Sequence, residues 1–540
     1  MRGAKQNSLL LALLLCLPTP TVTARPTKPQ MSILDYIKQT WGVLTRSNAN
    51  LASAAADPKA RASSRTFPND KRLVDGAPVY VAKDENISAI ERQLRVEMQP
   101  ADLGKIELRT LPSEPAQIRE PGLLYLPRPY VVPGGRFNEM YGWDSFFIQM
   151  GLLRDGELDL ARDMADNLLY EVREYGKVLN ANRTYYLTRS QPPFLAPMIL
   201  AVYQRTKDRK WLEDSLPWIE SYYRFWTSEP HLTAETGLSR YFDTGDGPAP
   251  EVLASEHDKH GEGDYELIRA YFRSHKVTDY DVSQYFNAAD GQLTALFYKG
   301  DRSMRESGFD PSNRFGPFSI DIIHYDPVCL NSLLYLMELQ IAEINTVLDR
   351  GTEAGVWRER ARERAERINR LMWDPETGLY FDYNFIQKRV RRYPFLTTFY
   401  PLWTGIASQD QAARVVGNLN RFERAGGLQT SEFKSGDQWD APFGWAPLQW
   451  IAVQGLRRYG YQTEADRISK NFLSMVQQEF QRHHDLEEKY DVVRRSDDVK
   501  SGLRYGYHSN EAGFGWTNAV FTALLDELPP KDQRDILNRH

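Results

Sequence analysis

Apolar residues recur at helical spacing along most of this chain. In ELDLARDMADNLLYEVREYG, Leu158, Ala161, Ala165, Leu168 and Val172 fall on one face, and Gly176 supplies a stop. NSLLYLMELQIAEINTVLDRG and VWRERARERAERINRLMW repeat the pattern. At RLMWDPETGLYFDYNF the period changes: a helix ends at Trp373, DPETG turns, and LYFDY alternates as a short strand. No fixed-period repeat of the solenoid kind is present. Helices alternate instead with aromatic, Gly/Pro-rich loops. The pattern predicts an all-α fold of helical hairpins arranged as a toroid, its loops forming a central pocket; an all-α solenoid is the alternative.

The amino-terminal pattern differs. Arg2 and Lys5 precede an apolar run over 8–17, followed by PTPTVTA and a small-residue exit near Ala24. Residues 1–24 read as a secretory signal, which predicts an exported protein, periplasmic or secreted. Residues 25–72 read as an arm or linker. Within it ILDYIKQTWGVL forms a short amphipathic helix, and 45–72 is poor in large apolar residues. Residues 73–540 read as the main folded body. No later stretch is long and apolar enough to span a bilayer, so no membrane contact is expected after signal removal.

Composition adds exclusions. The chain is 41% hydrophobic and 26% charged with a net charge of −5, so it carries no basic footprint for nucleic acid or anionic membrane. With the signal removed one cysteine remains, Cys329, read as a small buried hydrophobe. Stability must then come from the core, which this length permits. A monomer with a small-molecule partner is expected.

Three loops concentrate chemistry. PGGRFNEMYGWDSFF pairs Arg136, Glu139 and Asp144 with Phe137, Tyr141 and Trp143. SGDQWDAPFGWAPLQW sets Asp437, Gln438 and Asp440 among Trp439, Trp445 and Trp450. NANRTYYLTRSQPPF adds Asn180, Asn182, Arg189 and Gln191. Alone, the first could be a core loop around a buried Arg–Asp pair. Together, bidentate polar groups beside aromatic plates suit a neutral polyhydroxylated ligand, whose hydroxyls need hydrogen bonds and whose C–H face stacks. Hydrolysis of such a ligand calls for two carboxyl groups. RESGFDPSNRF nominates Asp310, whose apolar neighbours favour the protonated form. LEEKYD nominates Glu487, Glu488 and Asp491 without choosing among them. His483 and His484 lie side by side without metal-ligand spacing, and no phosphate loop, dinucleotide fingerprint or nucleophile elbow occurs. No metal and no cofactor are expected.

Taken together these blocks resemble the α,α-trehalase family of glycoside hydrolases. PGGRFNEMYGWDSFF and QWDAPFGWAP are similar to its two signatures, and NRTYYLTRSQPPF, ESGFDPSNRF, DPVCLNSLLY, EKYDV and GFGWTN follow in family order. The resemblance, over roughly 125–520, implies an (α/α)6 toroid and metal-free, inverting hydrolysis of an α-glucosidic bond. It implies Asp310 as general acid and Glu488 as general base, about 6.5–9.5 Å apart. It implies sugar contacts from Arg136, Phe137, Trp143, Asp144, Asn180, Arg189, Gln191, Glu251, Trp439, Asp440 and Phe514.

The departures bear on the leaving-group side. A family Arg-Pro-Glu triplet is here Ala249, Pro250 and Glu251, with Lys259 a nearby cation. The glycine run of the family's lid is replaced by VRRSDDVKSGLRYGYHSNEA, which holds Tyr507 and Glu511. Phe309 and Phe146 stand where tryptophan and tyrosine are common. The expected activity is hydrolysis of α,α-trehalose to two glucose. The alternatives are another α-linked glucoside, or an inactive sugar-binding relative.

Overall fold

Why these helices start and stop is visible in their caps. Asp208 and Thr294 accept backbone N–H bonds at helix starts, and Gly156 and Gly176 take left-handed φ of 89° and 75° at helix ends. The structure, a computed structural model, describes residues 31–56, 76–253, 263–500, 503–506 and 509–538. The helices that matter here are α1 (Ile33–Leu44), α2 (Gly142–Asp155), α3 (Leu158–Tyr175), α4 (Leu195–Thr206), α5 (Arg209–Trp226), α6 (Ala295–Glu306) and α7 (Val328–Val347). They continue as α8 (Gly351–Leu371), α9 (Tyr400–Thr404), α10 (Gln409–Gly417), α11 (Ala446–Arg458), α12 (Gln462–His483) and α13 (Gly515–Asp526).

Six of them close into an inner ring. α2 packs on α4, α4 on α7, α7 on α9, α9 on α11, α11 on α13, and α13 back on α2. Their sequences are apolar nearly all round: in α2 the run from Gly142 to Gln149 is buried without a break. The outer helices α3, α5, α8 and α12 are amphipathic and lie against them, and α10 continues this layer against the Leu379–Tyr380 strand. This is the (α/α)6 toroid, and it excludes the solenoid.

The outer ring is completed by α1. Its Trp41 is buried, donates to Asp155 at 2.7 Å, and lies so close to Gly151 of α2 that a Cβ there would stand 2.6 Å from the indole. Just beyond it, the buried Arg183 donates to the carbonyls of Ala54 and Ala55 and to Glu139 at 2.7 Å. The chain from Ile33 to Ala56 is therefore held on the body.

Short strand pairs join the helices, and one three-stranded sheet is parallel. Strands β1 (Ala77–Val81), β2 (Ile106–Thr110) and β3 (Leu123–Leu124) form a parallel sheet with β1 in the middle. It covers its own apolar cluster of Val79, Val81, Leu94 and Leu123. The predicted break near Trp373 is found as the pairing of Trp373–Asp374 with Leu379–Tyr380. No described helix is long and apolar enough to cross a membrane. The proposed signal over 1–24, Lys259 and Tyr507 lie outside the described residues.

Candidate active site

Loops at one end of the ring meet over a cavity of about 400 Å3, within the ~300–1,000 Å3 typical of small-molecule sites. Arg136, Phe137, Trp143, Asp144, Asn180, Arg189, Gln191, Glu251, Asp310, Trp439, Glu488 and Phe514 all line it. The first signature loop is fixed by zipping onto the third: Tyr141 bridges Ala181, Gly142 N–H donates to the Asn180 carbonyl, and Trp143 N–H donates to Gln191 Oε1 at 2.9 Å. That places Trp143 and Asp144 in the first turn of α2 with their side chains in the wall.

The apolar wall is a continuous aromatic stack. Trp143 contacts Phe309, Trp439 and Trp516 at centroid distances of 5.6, 5.9 and 5.8 Å, and Trp439 lies flat on Trp445 at 3.8 Å. Gly308 lets the acid's loop approach: its φ is 76°, and a Cβ would meet the Trp143 ring at 3.1 Å.

Around Asp310 the charges alternate. Burial pushes its carboxyl up to about 6, while the Arg305 and Arg189 guanidinium groups pull the other way. Arg305 Nη1 lies 3.4 Å from Asp310 Oδ2, and its Nη2 donates to Asp301 at 3.1 Å. Burial opposes the ionised form of Glu251, but Arg189, hydrogen-bonded to it, and Arg305 bring it down to about 2. Asp144 is pushed well above the usual carboxylate range by burial, with the Glu488 and Asp310 charges adding to it. Glu488 also borders the cavity, whereas Glu487 and Asp491 do not. Asp491 instead holds a turn, accepting from Val493 N–H, Arg494 N–H and the Arg494 guanidinium.

Two expectations are revised. Asp440 does not line the cavity. Its carboxylate is consumed by Asn313 N–H, the Tyr393 hydroxyl, Ser431 and Ser435, so it braces the loops that carry Asp310 and Trp439. The buried pair is not the Arg–Asp pair that the first loop alone could have held but Glu139 with Arg183 of the third loop, and Glu139 also lines the cavity. Arg305 is the residue the sequence reading missed. It stands at the end of α6, where a basic residue reads as a dipole complement, yet it faces the cavity. It is linked to the Ala249 segment through two side chains. Ala249 N–H meets the Tyr265 hydroxyl, which donates to Asp301, the partner of Arg305. A guanidinium thus enters the wall from a different segment. In the lid, Arg136 is clasped by Glu511 at 3.2 Å and by Ser509 at 3.1 Å.

Away from the cavity, Glu479, His483 and Asp497 bring ligand atoms within 4.8 Å of one another. Arg482 and the Asp497 N–H already engage Glu479 there, and His483 engages Asp497.

The trehalase family profile matches residues 22–529. Cytosolic neutral trehalase from Saccharomyces cerevisiae is 38% identical over 432 residues, 73% of this chain and 56% of that protein. The cytosolic neutral trehalase of Emericella nidulans is 34% identical over 565 residues, 92% of this chain and 72% of that protein. The solved structure of neutral trehalase Nth1 from Saccharomyces cerevisiae superposes with a TM-score of 0.75 at 33% identity, covering 93% of this chain and 95% of that one. The chain spans little more than half the length of the first relative. These relatives are cytosolic by name, which overturns the expectation of an exported, periplasmic or secreted protein. That expectation rested on a short apolar run behind two cations, and apolarity alone does not separate an export signal from other apolar leaders. Profile, sequence and superposed fold agree: the chain belongs to the trehalase family of glycoside hydrolases.

Proposed function

We propose that this chain hydrolyses α,α-trehalose to two molecules of glucose with inversion, Asp310 acting as general acid and Glu488 as general base. The observation that carries this is one cavity in which both carboxyl groups meet an aromatic wall and three arginines, Arg136, Arg189 and Arg305. Asp310, raised to about 6, can hold the proton that the leaving glycosidic oxygen needs. Glu488 takes a proton from water, which attacks the anomeric carbon from the opposite face. Asn180, Gln191 and Asp144 offer hydrogen bonds to hydroxyls, while Trp143, Trp439, Phe137 and Phe514 shape the apolar side. Arg305 and Glu251 meet the second sugar, which removes the reason for preferring another α-glucoside on the strength of Ala249. We take 73–540 as the catalytic unit, with α1 completing its outer ring.

Proton NMR of early product tests the stereochemistry. Inversion gives equal α- and β-glucose from trehalose, and an excess of the α-anomer would refute it. D310N and E488Q are each expected to lower kcat at least about 1,000-fold with unchanged melting; near-normal turnover in either removes that role. A panel of α-linked disaccharides with trehalose included decides the substrate.

A further inference from the structure

Lys489 is fully buried beside the candidate base. Its Nζ lies 3.6 Å from Glu488 Oε2, 3.1 Å from Gln438 Oε1 and 5.3 Å from the centre of the Trp445 ring. The same Gln438 side chain turns its Nε2 to the main-chain carbonyl of Asp310. A lysine ammonium only donates and a carbonyl only accepts, so the two contacts dictate which end of the amide faces each partner. A short bridge therefore runs from the base, through Lys489 and Gln438, to the backbone of the acid.

Both ends are braced. Lys489 pairs with Trp445 where strand Phe443–Trp445 meets strand Lys489–Asp491, and Asn510 clamps its main chain through Lys489 N–H and C=O at 3.2 and 2.8 Å. Trp439 N–H donates to the Pro311 carbonyl at 3.1 Å, a second link between the two loops. Trp516 Nε1 holds the Glu488 carbonyl at 3.0 Å. Gly506 of the lid passes so close that a Cβ would stand 2.8 Å from the Gln438 amide carbon.

Charge separates this bridge from a merely structural one. Glu488 faces the carboxyl groups of Asp144 on α2, Glu487 beside it and Glu511 in the lid. A cation buried at 3.6 Å counters that crowd of acids, and neutral packing of the same shape would not. An uncharged side chain would also have avoided the desolvation of an ammonium.

We propose that Lys489 and Gln438 are positioning residues for the hydrolysis assigned above: Lys489 holds Glu488 as the anion that activates water, and Gln438 fixes the acid-bearing Asp310 relative to it. The proposal rests on the acid and base assignment. Trehalose and α-glucosyl fluoride separate the two roles, because fluoride departs with little protonation and so needs little from Asp310. K489M should lower kcat about 100-fold on both substrates, leave KM within about threefold, and move the acidic limb of kcat/KM up by about one to three pH units. Q438M should slow trehalose about 30-fold and the fluoride by less than about threefold, with the acidic limb unmoved. K489Q, neutral but still a hydrogen-bond donor to Gln438, should show the same limb shift as K489M. An unshifted limb in a folded K489M or K489Q, or a Q438M that slows both substrates equally, overturns the proposal. E488Q and D310N run in parallel: an active E488Q refutes the underlying assignment, whereas an inactive E488Q with an unshifted K489M refutes only the bridge.

Discussion

Asp310 works under two opposed influences, and their balance is measurable. Burial lifts its carboxyl to about 6, and Arg305 at 3.4 Å restrains it. Since the acid must be protonated to act, kcat/KM should fall as pH rises through about 6. In R305M the restraint is gone, so this basic limb should move upward by about one unit or more while KM for trehalose rises. A limb that moved down would contradict the assignment. Asp437 offers a second case, in stability. Burial and the neighbouring Asp440 push its carboxyl well above the ordinary range. The folded state then holds the proton more tightly than the unfolded chain. The stability this contributes is complete below the ordinary value and is lost as pH rises toward the folded one. D437N removes that loss, so its melting temperature should gain on the native protein's between pH 5 and pH 8, as calorimetry can check. At this scale the sequence was most readable where polar forks and aromatic plates share a loop, as in Arg136 to Trp143. It was least readable where direction decides. Asp440 follows Trp439 in sequence, yet its side chain points into four donors and away from the cavity. Arg305 had no visible sign, because the end of a helix accommodates an arginine for other reasons.

Among the elements, α1 shows how one glycine admits a helix. Trp41 fits against Gly151, and its indole N–H ends on Asp155. W41A leaves a void and takes the indole donor from Asp155, which keeps Arg154 at 2.8 Å; it should cost about 3–5 kcal/mol in denaturant unfolding and shift kcat little. G151A should destabilise comparably, because the indole has to move. Equal stability in both variants would mean α1 is only resting on the body. Helix periodicity made α3, α7 and α8 legible with their ends nearly placed. The parallel sheet of β1, β2 and β3 was not, since its pairing joins Ala77 to Ile106 and Val79 to Leu123 across segments with no local signal. Nor does an amphipathic stripe name its partner: the apolar face of α1 was plain, but not that it lies on α2 and α13.

The whole molecule is a ring whose closure joins helices far apart in sequence, α13 and α1. α13 seals α11 to α2, and α1 covers that seam from outside. Removing residues 1–56 should therefore lower the melting temperature and most of the activity, because it also strips the carbonyls that satisfy Arg183. A synthetic peptide of residues 31–56 should restore both in part. A truncated chain that melts and turns over like the full one would show that the outer ring closes without α1. The closure has a consequence in time. On the ribosome α1 emerges early, but its platform is unfinished until α13 has been made. At about 5–20 residues per second that is a wait of about half a minute to a minute and a half. Throughout it, Ile37, Trp41 and Leu44 lack their finished platform, and for most of it Glu488 has not yet been made. The nascent chain must carry its first helix as an unsatisfied adhesive surface, and it gains its base and its last wall together.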